Sequence, residues 1–223
     1  MDDPFLLRRA GAAELFLIRH GDAVPEEDEI IPGGAYDDLP LSRKGRGQAG
    51  ALARRLGEFS FNALYSSPLR RCQETAAPLA EKLGLTPQII PDLKEIRLGE
   101  VGSLPPDTRD LAALTRALQE RQTDIIRLIG EDGNWDAIPG SEPSKEFRRR
   151  VVRALDEIAS QHLGQRVLVF AHGGVINAYA AETLSLPGEF FYPAANTSIN
   201  VIRVAGPRRV IFVLNDIAHL AGA

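Results

Sequence analysis

Short apolar runs alternate with amphipathic stretches along nearly the whole chain, and this alternation restricts the fold more than any other feature of the sequence. ELFLI (residues 14–18), NALYSS and RVLVFA are brief, strand-length segments that stop at polar or glycine residues, as buried strands do. Between them, RKGRGQAGALARRL follows Ser42 and repeats Ala49, Leu52, Ala53 and Leu56 at helical spacing, with Gly57 as a stop. Ser67 followed by Pro68 reads as a second helix start, because a hydroxyl caps orphan amides and proline tolerates the first turn. LRRCQETAAPLAEKLG continues that helix with an interruption at Pro78, and LTPQII supplies a brief strand. From Asp107 to Ile129, Leu111, Leu114, Leu118, Ile125 and Leu128 fall near helical positions. SKEFRRRVVRALDEIASQHLG and GVINAYAAETLSL add two further helices, and SINVIRVAG with RRVIFVLND forms a hairpin at the sheet edge. The pattern predicts an α/β three-layer sandwich, a largely parallel central sheet flanked by helices. Residues 1–223 read as one domain, with 103–140 inserted as a mostly helical excursion.

The remaining composition mainly excludes classes. A net charge of -4 argues against an extended polyanion as partner, and no basic-aromatic interleaving supports nucleic-acid recognition. The single cysteine, Cys72, rules out an intrachain disulfide, fits a reducing compartment and reads as a small buried filler in its helix. No run approaches the roughly 18 apolar residues that span a bilayer, and the first residues are acidic where a secretory signal would be basic, so no membrane association and a cytoplasmic location are expected. The first strand is followed by RHGDA instead of GxGxxG, and no GxxxxGK[ST] occurs, so a nucleotide-binding loop is not expected. Apolar helix faces that pack on a sheet read the same as faces that pack on a second copy, which leaves a homo-oligomer open.

The chemistry collects at strand ends. In an open α/β sheet, ligands bind beyond the carboxyl ends of the strands. Arg19, His20 and Gly21 lie at one such end, His172, Gly173 and Gly174 at another, and Ser66 to Arg70 at a third. Two arginines suited to a tetrahedral oxyanion, two imidazoles and flanking glycines make a phosphate pocket with a nucleophile. A histidine beside glycine is more often a structural residue, and Arg71 reads as the solvated member of the Arg70–Arg71 pair. His162 reads as surface, His219 as a packing or hydrogen-bonding residue, and Trp135 as packing under the excursion.

LIRHGDA, YSSPLRRCQETA, PDLKEIRLGE and VFAHGGVI, in this order between Glu14 and His219, resemble the histidine phosphatase superfamily, in its phosphoglycerate mutase-like branch. The resemblance implies that His20 is the phosphorylated nucleophile and that Arg19 binds phosphate. It further implies that the arginine of SSPLxR, assigned to Arg70, is a second phosphate ligand, that His172 completes the pocket, and that Glu95 donates and accepts the proton. Glu142, in a segment similar to the family's PGGES, organises the site, while Asn196 and Ser198 hold a nearby loop. In this scheme Arg19, Arg70 and a protonated His172 compensate the phosphoryl charge, so neither metal nor cofactor is expected.

Two departures bear on the reaction. Mutases of the family continue as RHGxSxWN, whereas this chain places Ala23 and Glu26 where the Ser and Asn stand, which removes donors for a phosphoglycerate carboxylate. The loop after Glu95 reads GEVG over Gly99 to Gly102, one residue short of the family's GxxEG. The expected activity is therefore metal-independent hydrolysis of a phosphomonoester through phosphohistidine, with a small phosphorylated molecule as substrate. A phosphoglycerate mutase, a phosphoprotein phosphatase and a catalytically silent anion-binding protein are the alternatives.

Overall fold

The computed structural model describes residues 3, 5–25, 38–99 and 111–221. Six strands form one sheet: β1 (Ala13–Arg19), β2 (Ala63–Ser66), β3 (Gln88–Ile89), β4 (Arg166–Ala171), β5 (Ile199–Ala205) and β6 (Arg208–Asp216). Their order is β3-β2-β4-β1-β5-β6. The β1–β4, β2–β4 and β2–β3 pairings are parallel, and the β5–β6 hairpin adds antiparallel to β1 at the edge. The helices are α1 (Arg43–Leu56), α2 (Arg70–Leu83), α3 (Leu111–Asp132), α4 (Ser144–Gln161) and α5 (Gly173–Thr183).

The three layers follow from the two-residue period of the central strands, whose successive side chains point to opposite faces. Leu15 and Leu17 of β1, with Val167 and Val169 of β4, pack against Phe147, Val151 and Leu155 of α4 and Val175 and Tyr179 of α5. Ile18, Leu168 and Phe170 point the other way, onto Leu52 and Leu56 of α1 and Ala76 and Leu79 of α2. Each such Leu, Ile or Phe contributes about 1.5–3 kcal/mol by leaving water. Central strands buried on both faces read as continuous apolar runs, which is why β1 and β4 are legible without alternation.

Two helix boundaries differ from the sequence expectation. The first is the start of α2: it opens at Arg70 after the extended Leu69, and Ser67 does not cap it as an ordinary N-cap would. The Ser67 hydroxyl is instead engaged by His172, as described below. The second is Pro78, which sits inside an uninterrupted α2. A proline within a helix costs about 3 kcal/mol, and here the buried Cys72, Ala76, Leu79 and Ala80 on the same helix outweigh it. Most of the Asp22–Pro40 loop and the 100–110 stretch, including Glu26, the GEVG motif beyond Gly99 and the expected helix start at Asp107, lie outside the described residues. Among the described residues, no helix is long and apolar enough to cross a membrane.

Candidate active site

Parallel pairing of β1 with β4 places Arg19 opposite Ala171, so the next residue of each strand, His20 and His172, leaves the sheet side by side. Their ring centroids are 5.2 Å apart, and both side chains are buried. His20 Nδ1 lies 2.7 Å from the carbonyl oxygen of Gly21. A carbonyl only accepts, so Nδ1 carries the proton and the Nε2 lone pair is left for chemistry. The loop that carries this carbonyl is held from both sides. Gly21 N–H donates to Thr75 Oγ1 at 2.9 Å, and that hydroxyl donates to the Arg71 carbonyl at 2.6 Å. A Cβ on Gly21 would stand 2.8 Å from the Gly45 oxygen, and one on Gly45 would stand 2.0 Å from the Asp22 oxygen. Only glycine at both positions allows the exit of β1 to lie against the first turn of α1. Asn196, whose Nδ2 donates to the His20 carbonyl at 3.1 Å, closes the loop from the other side, while Ser198 is buried and its hydroxyl accepts from Asn200 Nδ2 at 3.3 Å.

The arginine assignment from sequence is corrected by one residue. Arg70 points away from the histidines: its side chain is 46% exposed and pairs with Glu74 one turn along α2 at 2.6 Å. Arg71, read as the solvated member of the pair, faces the site and brings Nη2 to 3.3 Å from His172 Nδ1. The cause is the helix start. With α2 opening at Arg70, the helical rotation of about 100° per residue turns Arg71 inward and Arg70 outward. Counted residue by residue, SSPLxR also puts its variable position on Arg70 and its final arginine on Arg71. Arg19 is held by a 2.5 Å hydrogen bond from Nη1 to the Ala194 carbonyl, and its buried Nε has no hydrogen-bond partner among the described residues.

His172 does not carry the charge expected of it. Arg71 donates to Nδ1, so Nε2 is the protonated nitrogen, and it donates to Ser67 Oγ at 2.8 Å. Burial, with the guanidinium of Arg71 next in importance, pushes its pKa well below the ordinary histidine value. The ring is therefore neutral in the free site, and a phosphate dianion between it and the arginines would act against that depression. His20 is driven down by the same causes and is neutral as a nucleophile must be. Cys72 lies beneath His172, with Sγ 3.4 Å from Nε2, and burial pushes its thiol up to about 12. It stays a protonated packing group at neutral pH.

Glu95 joins these groups from the loop after β3. Its Oε2 accepts from the Gly174 N–H at 3.1 Å, and Oε1 accepts from its own neighbour Ile96 at 3.0 Å. Burial raises its pKa above the ordinary glutamate value, prevailing over those two N–H bonds and the nearby Arg71 and Arg19. A Cβ on Gly174 would fall 2.4 Å from Glu95 Oε1 and 3.0 Å from Trp135 Cζ2, so this glycine makes room for both side chains. Trp135 packs edge-on against Phe147 and Phe190, as expected of a packing residue, yet it also lines the cavity, and its buried Nε1 has no hydrogen-bond partner among the described residues.

The sequence did not single out Arg150, which fixes the Glu95 loop. Its Nη1 donates to the carbonyls of Asp92 and Lys94 at 2.7 Å each, and its Nη2 to the Glu95 carbonyl at 3.3 Å. Glu142 holds Arg150 through two oxygens at 2.7 and 2.8 Å, which gives that acid the organising position expected of it. Replacing Arg150 by Met is expected to lower kcat about 10- to 100-fold with little change in KM, because a misplacement near 1 Å at a reacting group has effects of that size. Steady-state kinetics on an alkyl phosphate checks this, and a purely structural role would lower active enzyme concentration without changing kcat per active site. The two other histidines lie away from this centre. His162 is half-buried at the end of α4, not on the surface: it bonds Tyr65 Oη at 2.8 Å and Gln165 Oε1 at 2.6 Å. His219 bonds Thr197 Oγ1 at 3.0 Å.

Arg19, His20, Arg71, Glu95 and Gly174 line a cavity of about 580 Å³, with α3 forming its opposite wall. The family model described as histidine phosphatase superfamily (branch 1) matches residues 15–217, a span that contains every group of this cluster. The chain belongs to the histidine phosphatase superfamily. It is an enzyme of the histidine phosphatase type, and its relatives in that superfamily include phosphatases and mutases. It is 33% identical over 214 residues to the metal-independent phosphoserine phosphatase of Arabidopsis thaliana, covering 93% of this chain and 83% of the relative. It is 31% identical to phosphoglycerate mutase-like protein 4 of the same organism, covering 93% and 87%. The native structure of a mycobacterial glucosyl-3-phosphoglycerate phosphatase superposes with a TM-score of 0.70 at 26% identity, covering 92% of this chain and 99% of that one. Within this histidine phosphatase, Ala23 lines the cavity where mutases carry a serine, so no hydroxyl is offered there.

Proposed function

We propose that this histidine phosphatase hydrolyses the phosphomonoester of a small molecule through a phosphohistidine on Nε2 of His20. The observation that carries the reading is the His20 Nδ1–H bond to the Gly21 carbonyl, which commits a ring that lines the cavity to the tautomer with a free Nε2. In the first step Nε2 attacks phosphorus in line, the P–N bond forms, the P–O bond to the leaving group breaks, and Glu95 gives its proton to the departing alkoxide. Arg19 and Arg71 stabilise the equatorial oxygens, a role that falls to Arg71 and not to Arg70. In the second step Glu95 takes a proton from water, the resulting P–O bond forms, the P–N bond breaks and inorganic phosphate leaves. The raised pKa of Glu95 and the lowered pKa of His20 lie in the directions that the first step requires.

The relatives act, by their names, on phosphoserine and on glucosyl-3-phosphoglycerate, both small phosphorylated metabolites, which supports a substrate of that size here. A mutase would share the first step and return the phosphoryl group to substrate. Ala23 favours hydrolysis over that alternative, since it supplies no donor for a retained phosphoglycerate. We place the reaction in the cytoplasm, without nucleic-acid or membrane partners.

Replacing Glu95 by Gln is expected to slow turnover of alkyl phosphates about 100- to 1,000-fold and of nitrophenyl phosphate about tenfold or less, because a good leaving group does not need the proton. Equal losses across the series would remove Glu95 from the acid role. The pH dependence has a defined sign. Glu95 is active as the acid while protonated, so kcat/KM for an alkyl phosphate falls as pH rises through its raised pKa, at higher pH than an ordinary glutamate would give, and Gln at this position removes that limb. Inorganic phosphate release equal to substrate consumed identifies a phosphatase, whereas consumption with phosphate retained in an organic product identifies a mutase.

A further inference from the structure

The phosphate end of the cavity is polar, but the wall facing it is not. Leu118, Ile125 and Ile126 project from one face of α3 into the cavity, and Ile96, Leu98 and Phe190 continue the apolar surface around it. Ile126 is 46% exposed, an apolar side chain that its own fold leaves uncovered at the cavity edge. The volume of about 580 Å³ exceeds what serine or glycerate needs beside a phosphate and matches sites for much larger organic ligands. Two polar side chains on α3 interrupt the wall, Arg121 and Gln122. The buried Nε of Arg121 has no partner, and this side chain makes no ion pair among the described residues, so it is placed to meet one acceptor on a ligand. A polyol seated against this wall would find only Arg121 and Gln122 there to pair its hydroxyls, with Asp22, Gln48 and Asn196 elsewhere in the cavity, and each hydroxyl left unpaired costs roughly tenfold in affinity or more.

We propose that the substrate is a monophosphate ester of a bulky, mainly apolar alcohol or phenol bearing at most one acceptor, whose organic part lies along the Leu118–Ile125–Ile126 face of α3. This rests on the proposed phosphatase reaction for the identity of the phosphoryl end. The apolar wall then does two things. It contributes binding in proportion to the area the ligand covers, and it keeps water away from the Glu95 proton until the ester is seated. The raised pKa of Glu95 agrees with a site that is dry on this side.

The test uses the full chain and a homologous set: ethyl, butyl, hexyl and octyl phosphate, whose leaving groups differ little in basicity, beside phosphoserine and glucose 6-phosphate. Phosphate release is followed with the wild type and with His20→Ala, and binding of the matching alkylphosphonates is followed by calorimetry. Each added methylene is expected to raise kcat/KM about three- to fourfold until the wall is covered. Ile126→Gln is expected to lower the ratio of hexyl to ethyl phosphate at least threefold. Turnover that depends on His20 but is flat along the alkyl series, or that prefers glucose 6-phosphate or phosphoserine to hexyl phosphate, overturns the proposal and leaves the phosphatase reading standing. No turnover, with phosphonates that bind more tightly at each methylene, overturns the phosphatase reading and sustains the apolar site. Neither turnover nor a methylene slope in binding overturns both.

Discussion

Replacing His20 by alanine is expected to abolish phosphoryl capture and to lower kcat by about ten-thousandfold or more. Loss of a nucleophile removes the covalent path, leaving only what the arginines and the pocket do for attack by water. The expectation rests on geometry: the contact of Nδ1 with the Gly21 carbonyl leaves Nε2 unprotonated, and burial with two arginines depresses the pKa of the ring. Cys72, packed against His172, is no substitute, because its thiol, pushed up to about 12, is not ionised at neutral pH. Single-turnover labelling with substrate radioactive in the phosphoryl group, quenched in alkaline detergent, reads the covalent species directly. Acid-labile label on the wild type and none on the variant is the expected result. Label of equal amount on both proteins would move the nucleophile elsewhere.

The second large effect separates two adjacent arginines. Arg71→Ala is expected to lower kcat/KM on the order of 100- to 1,000-fold, the size of losing a donor aimed at developing phosphoryl charge. Arg71→Lys keeps the charge but not the planar fork and is expected to recover only part of that loss. Arg70→Ala removes an exposed pair one helical turn long, a contact worth about 0.3–0.5 kcal/mol, and is expected to change kcat/KM by less than about twofold. The Arg71 change also carries a pH signature. Its guanidinium helps hold His20 and His172 below the ordinary histidine value, so its removal lets both pKa values rise. The acidic limb of the pH profile, where His20 takes up a proton and stops acting as nucleophile, is then expected to move to higher pH. A large loss at Arg70 with none at Arg71 would reverse the assignment.

Much of the architecture is legible along the chain because its signals are local. The apolar runs of β1 and β4 announce strands buried on both faces, the spacing of Ala49, Leu52, Ala53 and Leu56 announces the buried side of α1, and the β5–β6 pair announces its own turn at Gly206, where φ is +59°. The motifs around His20 and His172 are legible for a related reason. A residue directly after a parallel strand is positioned by that strand alone, so two such residues on adjacent strands must meet.

What the sequence could not specify depends on rotation and on long-range contact. Which of Arg70 and Arg71 faces the histidines turns on where α2 begins, and at that start the Ser67 hydroxyl bonds His172, a residue 105 positions away, and no side chain caps the helix. The neutrality of His172 is likewise a property of burial beside Arg71, which no spacing encodes. Arg150 was hidden among the charges of an amphipathic helix, since its role consists of reaching carbonyls more than fifty residues earlier in the chain. The apolar wall opposite His20 was present in the sequence as ordinary helical leucines and isoleucines, and only the placement of α3 across the cavity distinguishes them from core. The sequence by itself determined the α/β layering, the strand-end places of His20 and His172 and the family, because these are carried by residues in and next to the strands. The tertiary structure decided which arginine faces the histidines, the direction in which burial shifts His20, His172 and Glu95, and the apolar wall of the cavity, because each depends on which distant surfaces come together around the same small volume.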